Sequence, residues 1–185
     1  MTEELTRPPA DPSARDEFDL VVMAASAGGV TALGSVLTGL PVDFSAAVTI
    51  VQHLDPTHRS LMADILARKT RLRVEQAKDG DRIEPGTIFV APPNRHLLVN
   101  PDGTLSLSQS EMVHFVRPSA DLLFESAAAS YGERVIAVVL TGTGRDAAMG
   151  VTAVKKMGGS VIAEDPTSAE FSGMPQAAVA TGDVD

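Results

Sequence analysis

The chain has 185 residues, 44% hydrophobic and 21% charged, which is enough to bury one ordinary core and too apolar for extended disorder. Its 15 basic and 24 acidic residues give a net charge of −9, which argues against a nucleic-acid-binding surface, and it has no cysteine for disulfides, thiol catalysis or Cys-ligated zinc. No apolar run approaches the roughly 20 residues that span a bilayer, and the N-terminus does not resemble a secretory signal, so we expect a cytoplasmic protein without membrane insertion.

The chain divides into a short tail and one domain. Residues 1–17 carry Pro8, Pro9 and Pro12 among mixed charges and are predicted to be a disordered tail, whereas residues 18–185 are predicted to fold. The apolar run at 18–24 predicts a strand, and a small-residue turn and a helix over 30–40 follow it. Residues 46–51 predict a second buried strand, and the spacing of apolar residues at 61, 62, 65 and 66 predicts a helix.

Residues 72–77 are a candidate third strand. Residues 87–90, 96–99 and 105–108 are short, β-rich and separated by Pro and Gly turns, so we expect them to form an antiparallel excursion. Residues 118–121 are placed like an N-terminal cap before Leu122, Leu123 and Phe124. The apolar run at 134–141 predicts a central parallel strand, followed by a helix to about Met157 and a strand at 160–163. Together these elements predict a single α/β domain with a doubly wound, mostly parallel sheet and a small antiparallel β excursion.

Ser26 lies in a turn between a predicted strand and a predicted helix. Small residues surround it, as in a nucleophile elbow, and the helix start at Ala27 and Gly28 offers backbone N–H groups to an oxyanion. The alternative is that Ser26 simply caps this helix.

Two further polar residues, His53 and Asp146, follow predicted strands. Because ligand sites of open α/β sheets lie at the carboxyl ends of strands, His53 is a candidate base for Ser26, and Asp146 is a candidate acid that orients the imidazole. The alternatives are a locally hydrogen-bonded histidine and an acid in a first helical turn. His96 and His114 are remote along the chain, so no metal site is predicted.

The segment around Asp146 also matches a dinucleotide-binding pattern. Gly142, Gly144 and Ala147 fit G-x-G-x-x-[GA], and Glu164 and Asp165 lie about 20 residues further on. However, only one clear strand follows, whereas the dinucleotide fold needs several.

Six blocks of sequence, in this order, resemble the catalytic domain of the chemotaxis protein-glutamate methylesterase (CheB) family. They are AASAGG at 24–29, VQHL at 51–54, APPN at 91–94, RPSADLLF at 117–124, TGTGRD at 141–146 and SGMP at 172–175. The resemblance implies a serine esterase that hydrolyses glutamyl methyl esters on chemoreceptors and, in many members, deamidates glutamines. It implies the roles of nucleophile for Ser26, base for His53 and orienting acid for Asp146, with an oxyanion donor at the Thr143 backbone.

The resemblance also implies partners, and the sequence departs from the family pattern at some positions. The partners are the cytoplasmic helices of methylated chemoreceptors, with a separate or fused methyltransferase or a signalling kinase, and no cofactor is implied. Ala24 and Ala147 stand where the family commonly has glycine. Because only a short tail precedes Phe18, we expect a member without the usual receiver domain. A catalytically silent signalling or adaptor domain of the same fold is the alternative function.

Overall fold

The computed structural model describes residues 19–53 and 60–185. The tail predicted over residues 1–17 lies outside the described residues, as does Phe18 at the start of the first predicted strand. Within the described ranges, no helix is both long enough and apolar enough to cross a membrane.

The described residues form eight strands and five α-helices. The strands are β1 (Leu20–Ala25), β2 (Ala47–Gln52), β3 (Arg73–Gln76), β4 (Thr87–Val90), β5 (His96–Val99), β6 (Leu105–Ser108), β7 (Val135–Val139) and β8 (Ser160–Ala163). The helices are α1 (Gly29–Gly39), α2 (Met62–Ala67), α3 (Ala120–Tyr131), α4 (Ala148–Lys156) and α5 (Gly173–Val179).

Six strands form one parallel sheet in the order β3-β4-β2-β1-β7-β8, and β5 pairs with β6 in an antiparallel hairpin. This architecture confirms the predicted α/β class, the doubly wound sheet and the single domain. The central strands β1 and β2 are buried along their whole length because helices cover both faces. Alternate residues of β1 therefore enter two separate cores: Leu20 packs on the side of α3, α4 and α5, whereas Val21 packs on the side of α1 and α2.

Two elements differ from the sequence prediction. Residues 87–90 do not belong to the antiparallel excursion, because β4 pairs in parallel with β2 and β3 inside the main sheet. A four-residue apolar strand bounded by turns carries no periodicity that distinguishes the two arrangements. Helix α5 is not among the predicted elements. This helix has Pro175 in its first turn, where the missing N–H has no partner to lose.

The topology brings the ends of three strands to one place. β1 lies between β2 and β7, with Ala25 opposite Gln52 and Ala24 opposite Val139. The chain moves to one side of β1 through β2 and to the other side through β7, so the strand order reverses at β1. Such a switch point leaves a crevice at the carboxyl ends of the strands. Ser26, His53 and the loop after β7 all begin at this edge.

Candidate active site

Ser26 occupies the tight turn between β1 and α1. Its N–H donates to the carbonyl of Thr141 at 3.0 Å, and its own carbonyl accepts from the N–H of Gly29 at 2.9 Å. The N-cap of α1 is Gly28, with φ 76°, and no side-chain hydrogen bond caps this helix. The interpretation of Ser26 as a helix cap is therefore wrong. Within the described part of the chain its half-buried hydroxyl has no hydrogen-bond partner, so it is available for chemistry.

Glycines allow the close approaches around this turn. A Cβ on Gly29 would lie 2.0 Å from Oε1 of Gln52, and a Cβ on Gly142 would lie 2.8 Å from the Cβ of Ser26. Neither position has room for a side chain. Ala24, where the family commonly has glycine, pairs regularly with Val51 and Val139, so the substitution leaves the strand leading into the turn undisturbed.

Gln52 connects the nucleophile turn to the histidine turn, and the sequence analysis missed it. Its side chain is 4% exposed, and its Nε2 donates to the carbonyl of Ser26 at 2.7 Å and to the carbonyl of His53 at 3.1 Å. The amide therefore fixes the spacing between the two backbones that carry the candidate nucleophile and base. The only sequence signal for this bridging role was an amide residue at the end of an apolar strand, directly before the candidate histidine.

His53 follows β2, and its N–H donates to the carbonyl of Ala25. The imidazole Nε2 lies 2.8 Å from Oδ2 of Asp146, and the ring is 14% exposed. Because Nε2 faces the acid, Nδ1 is the nitrogen that remains for Ser26. This use of the two nitrogens is the reverse of that in the trypsin-type triad, although the order of roles is the same.

Asp146 lies at the N-terminus of α3. Its Oδ2 accepts from the N–H of Ala120 at 2.6 Å as well as from His53, and its Oδ1 accepts from the hydroxyl of Ser119 at 2.8 Å and from the N–H of Asp121 at 3.1 Å. Burial raises the pKa of this carboxyl, but the hydrogen bonds from His53 and Ala120 outweigh burial and hold its pKa below the usual value. The site therefore keeps Asp146 ionised.

The alternative placement of Asp146, in a first helical turn, is wrong for the helix that follows it in sequence. α4 begins two residues later, after Ala147 with φ 89°. The left-handed conformation of Ala147 is one that glycine adopts without strain. Asp146 instead caps α3, a helix that starts 26 residues earlier in the chain. Ser119, within the predicted cap, is the N-cap residue of α3, but its hydroxyl bonds Asp146 and makes no capping bond of its own.

His96 supports Asp146 indirectly, through Ser119, although it was predicted to be remote from the site. It is fully buried in β5; its Nδ1 accepts from the N–H of Ser119 at 3.1 Å, and its Nε2 lies 3.0 Å from the carbonyl of Glu111. Burial lowers the pKa of His96, which agrees with a neutral ring that donates through Nε2 and accepts through Nδ1. Hydrogen bonds therefore link His96 through Ser119 to Asp146 and on to His53.

Asp121 is a second buried carboxyl next to Asp146. Its Oδ1 accepts from the N–H of Gly150 at 2.8 Å, and its Oδ2 lies 3.6 Å from Nε2 of His114. Burial raises the pKa of Asp121 to about 6, and the negative charge of Asp146 adds to this effect. His114, the other histidine predicted to be remote, thus contacts Asp121, the carboxyl next to Asp146.

The three candidate oxyanion donors, Ala27, Gly28 and Thr143, lie on two loops at the same edge. Ala27 and Gly28 directly follow Ser26, and the loop of Thr143 contacts the Ser26 turn at Gly142. Among the described residues, none of the three N–H groups has a hydrogen-bond partner. They are therefore able to donate to a substrate oxygen, and their role stays a prediction.

The dinucleotide pattern does not have the structural setting it requires. Only β8 follows β7 in the described sheet, and β8 is its edge strand. Oε2 of Glu164 accepts from the N–H of Thr141 at 2.7 Å, so this acid bonds the loop itself. Both observations argue against a cofactor site here.

In this protein, a tight turn that carries a serine and a buried histidine–aspartate pair lie together at the carboxyl edge of an α/β sheet. This arrangement is typical of serine hydrolases. The family model described as CheB methylesterase matches residues 21–185, and the chain belongs to this family.

Individual relatives agree with this assignment. The crystal structure of the Thermotoga maritima CheB methylesterase catalytic domain superposes with a TM-score of 0.86 at 35% identity, over 90% of each chain. A Leptospira interrogans relative is 38% identical over 91% of this chain and 87% of its own length. Protein-glutamate methylesterase/protein-glutamine glutaminase 2 of Anaeromyxobacter dehalogenans is 42% identical over 95% of this chain, which spans only 51% of that protein.

Proposed function

We propose that Ser26, His53 and Asp146 form the catalytic triad with which this CheB-family methylesterase hydrolyses glutamyl methyl esters on chemoreceptors. The observation that carries the proposal is the 2.8 Å contact between Nε2 of His53 and Oδ2 of Asp146, beside the turn that holds Ser26. The family membership and the names of the relatives support the reaction and the substrate class. The substrate side chains lie on the cytoplasmic helices of methylated receptors, so we place the protein in the cytoplasm.

In the first half of the reaction, Oγ of Ser26 attacks the ester carbonyl carbon while Nδ1 of His53 takes the hydroxyl proton. Asp146 stabilises the imidazolium through the bond to Nε2. The carbonyl oxygen becomes an oxyanion, to which the N–H groups of Ala27, Gly28 and Thr143 donate. The tetrahedral intermediate then expels methanol, which receives its proton from His53, and a glutamyl ester of Ser26 remains.

In the second half, His53 removes a proton from water, and the hydroxide attacks the acyl-enzyme. The ester bond to Ser26 breaks, His53 returns the proton to Oγ, and the product is a glutamate carboxylate. The same steps hydrolyse a glutamine side chain, with ammonia leaving in place of methanol. The names of these relatives, which pair methylesterase with glutaminase, support this second activity.

The partners follow from the substrate. We propose methylated chemoreceptors as the substrate proteins, and a separate or fused methyltransferase or a signalling kinase as further partners. An esterase that removes methyl groups needs a methyltransferase to supply its substrate.

The test is methanol release from methylated receptor membranes by the wild type and by Ser26→Ala. We expect the variant to lose activity by a factor on the order of 10⁴ to 10⁶, because a triad acts as a unit. Its thermal midpoint should stay within about 2 °C of the wild type, since the hydroxyl has no partner among the described residues. Appreciable methanol release by Ser26→Ala would remove this serine from the mechanism. A wild type that binds receptors without releasing methanol would instead favour the silent adaptor.

A further inference from the structure

A tight turn between β6 and α3 places an aromatic side chain in an unusual position. Val113 and Val116 exchange two backbone hydrogen bonds, of 3.2 and 2.9 Å, across His114 and Phe115. Both central residues have positive φ, 50° for His114 and 66° for Phe115. A two-residue turn of this kind favours Asn-Gly, because Cβ lies too close to the following carbonyl oxygen in the left-handed region, which glycine adopts freely and asparagine tolerates. The turn therefore retains a strained phenylalanine where glycine fits better.

Phe115 contributes nothing to the core. Its side chain is 95% exposed, more than any other large hydrophobic residue that the structure describes, and Met112 in the same segment is 53% exposed. Strained backbone is found mostly at binding and switch sites, so a strained turn whose aromatic side chain adds nothing to the core points to binding.

Hydrogen bonds to the residues that flank the turn hold it in place. Nε and Nη2 of Arg117 donate to Oδ1 of Asn94, and Nη1 donates to the carbonyls of Gln109 and Ser110. The carbonyl of Glu111 accepts from the buried ring of His96. Because these hydrogen bonds fix the supporting segment, its backbone loses little conformational entropy when a partner covers Phe115.

The turn adjoins the catalytic residues. His114 contacts the carboxyl of Asp121 at 3.6 Å, and the N–H of Asp121 donates to Asp146. These contacts place the turn that carries Phe115 beside the start of α3, at the rim of the candidate active site on the Asp146 side.

We propose that Phe115 is the docking anchor for the protein substrate, and that it packs against the apolar face of the helix that carries the esterified glutamate. This inference rests on the proposed function. On a helix, the side chains three and four positions from the ester share its face, so an apolar residue there reaches the rim while the ester reaches the site. Phe115 thus distinguishes a helical protein substrate from a small ester.

The test compares Phe115→Gly with the wild type on two substrates, methylated receptor membranes and the small soluble ester N-acetylglutamate γ-methyl ester. We expect kcat/KM for the receptor to fall about 10- to 100-fold, mainly through KM, because buried aromatic anchors dominate interfaces. The rate on the small ester should not change. The thermal midpoint should be equal or higher, since glycine suits the positive φ.

Two further variants serve as controls. Phe115→Tyr should retain receptor activity because the ring remains. Met157→Ala removes a side chain that is 49% exposed at the far end of α4, and it should leave both rates unchanged.

Three outcomes would overturn the proposal. An unchanged receptor kcat/KM in Phe115→Gly would show that the ring does not dock substrate. Equal losses on both substrates would assign the turn to the support of Asp146. Wild-type dimers in sedimentation that Phe115→Gly abolishes, together with unchanged receptor kinetics, would assign the surface to a second copy of the chain. Failure of the proposed function is distinct, because the wild type would then hydrolyse neither ester.

Discussion

The nucleophile and the acid of the candidate triad are held in place by different means. Ser26 is positioned by its own backbone, through hydrogen bonds to Thr141 and Gly29, and its hydroxyl is left without a partner among the described residues. Asp146 is positioned through its side chain, which accepts four hydrogen bonds, three of them from the start of α3. The hydroxyl is free to rotate, whereas four hydrogen bonds hold the carboxylate of Asp146 in one orientation.

This difference fits the two chemical roles. A nucleophile must give its proton to the base and bond to carbon, so hydrogen bonds from its oxygen to groups other than the base would oppose the reaction. An orienting acid must keep one position and one charge state throughout, so each added donor is useful. We therefore expect substitutions on the serine side to affect rate alone, and those on the acid side to affect rate and stability together.

The largest effect expected on the acid side comes from Asp146→Asn. We expect kcat to fall by about 10⁴-fold, because the charge that stabilises the imidazolium is lost. Unlike Ser26→Ala, this variant should also lose roughly 1–3 kcal/mol of unfolding free energy, because its amide NH₂ faces groups that donate. Steady-state kinetics and urea denaturation measure both effects. A variant that loses activity at full stability would contradict the comparison between the two sides.

A smaller effect is expected for Gln52→Met, which removes the amide between the serine and histidine turns. We expect kcat to fall by about 10²-fold with little change in KM, because a shift of about 1 Å between the reacting groups has that cost. Stability should fall less, since the variant also removes Oε1 of Gln52, a buried acceptor with no partner among the described residues. Wild-type kcat in this variant would show that the backbone alone fixes the spacing.

Ser119→Ala tests a single donor to the acid. The carboxylate keeps three of its four hydrogen bonds, so we expect only about a tenfold loss in kcat. The unfolding free energy should fall by about 1.5–3 kcal/mol, the usual contribution of a hydrogen bond to a charged group. Ser126→Ala, in the same helix but bonded to the backbone of Leu123 and Val99, is the matched control and should leave kcat unchanged. Equal kcat losses in both variants would indicate a general loosening of α3.

The smallest expected effect on rate is that of Asp121→Asn, whose measurable consequence is pH dependence. The pKa of Asp121 is about 6 in the folded protein, against an ordinary value near 3.8, so the folded state holds this proton more tightly. Stability due to this group therefore falls as pH rises from about 4 to about 6. Asp146 acts outside this window, because its pKa is lowered and its contribution is lost only in stronger acid.

Urea denaturation between pH 4 and pH 7 measures this effect. The wild type should lose unfolding free energy across this window, because the folded state holds the proton of Asp121 more tightly than the unfolded chain does. The variant should not show this loss, since asparagine still accepts from Gly150 without a charge. Identical pH profiles for the two proteins would mean that another group titrates in this window.

Much of the fold was predictable because its signals are local. Adjacent residues form the apolar runs of β1, β2 and β7 and the turn after β1. Ser26, His53 and Asp146 were identified as site candidates because each follows a predicted strand. Residues 87–90 were misassigned, since pairing with β2 depends on residues 40 positions away in the chain. The parallel or antiparallel direction of so short a strand is set by its neighbours and not by its own sequence.

The supporting residues of the site were the part that sequence analysis missed. Gln52, His96 and Ser119 act through contacts with groups that are distant in sequence, such as the bond from Ser119 to Asp146 across 27 positions. No spacing rule of helices or strands predicts such a pair. His96 and His114 looked remote because sequence distance was the only measure available.

The sequence by itself determined most of the strands and helices, the small-residue turn and the three polar residues at strand ends, because hydrophobic periodicity and glycine conformations act over a few residues. Only the tertiary structure decided that the carboxylate of Asp146 meets the N-terminus of α3, and that Phe115 stands exposed at the rim. Those features arise where separate elements pack together, and the free energy of packing depends on surfaces that no single segment contains.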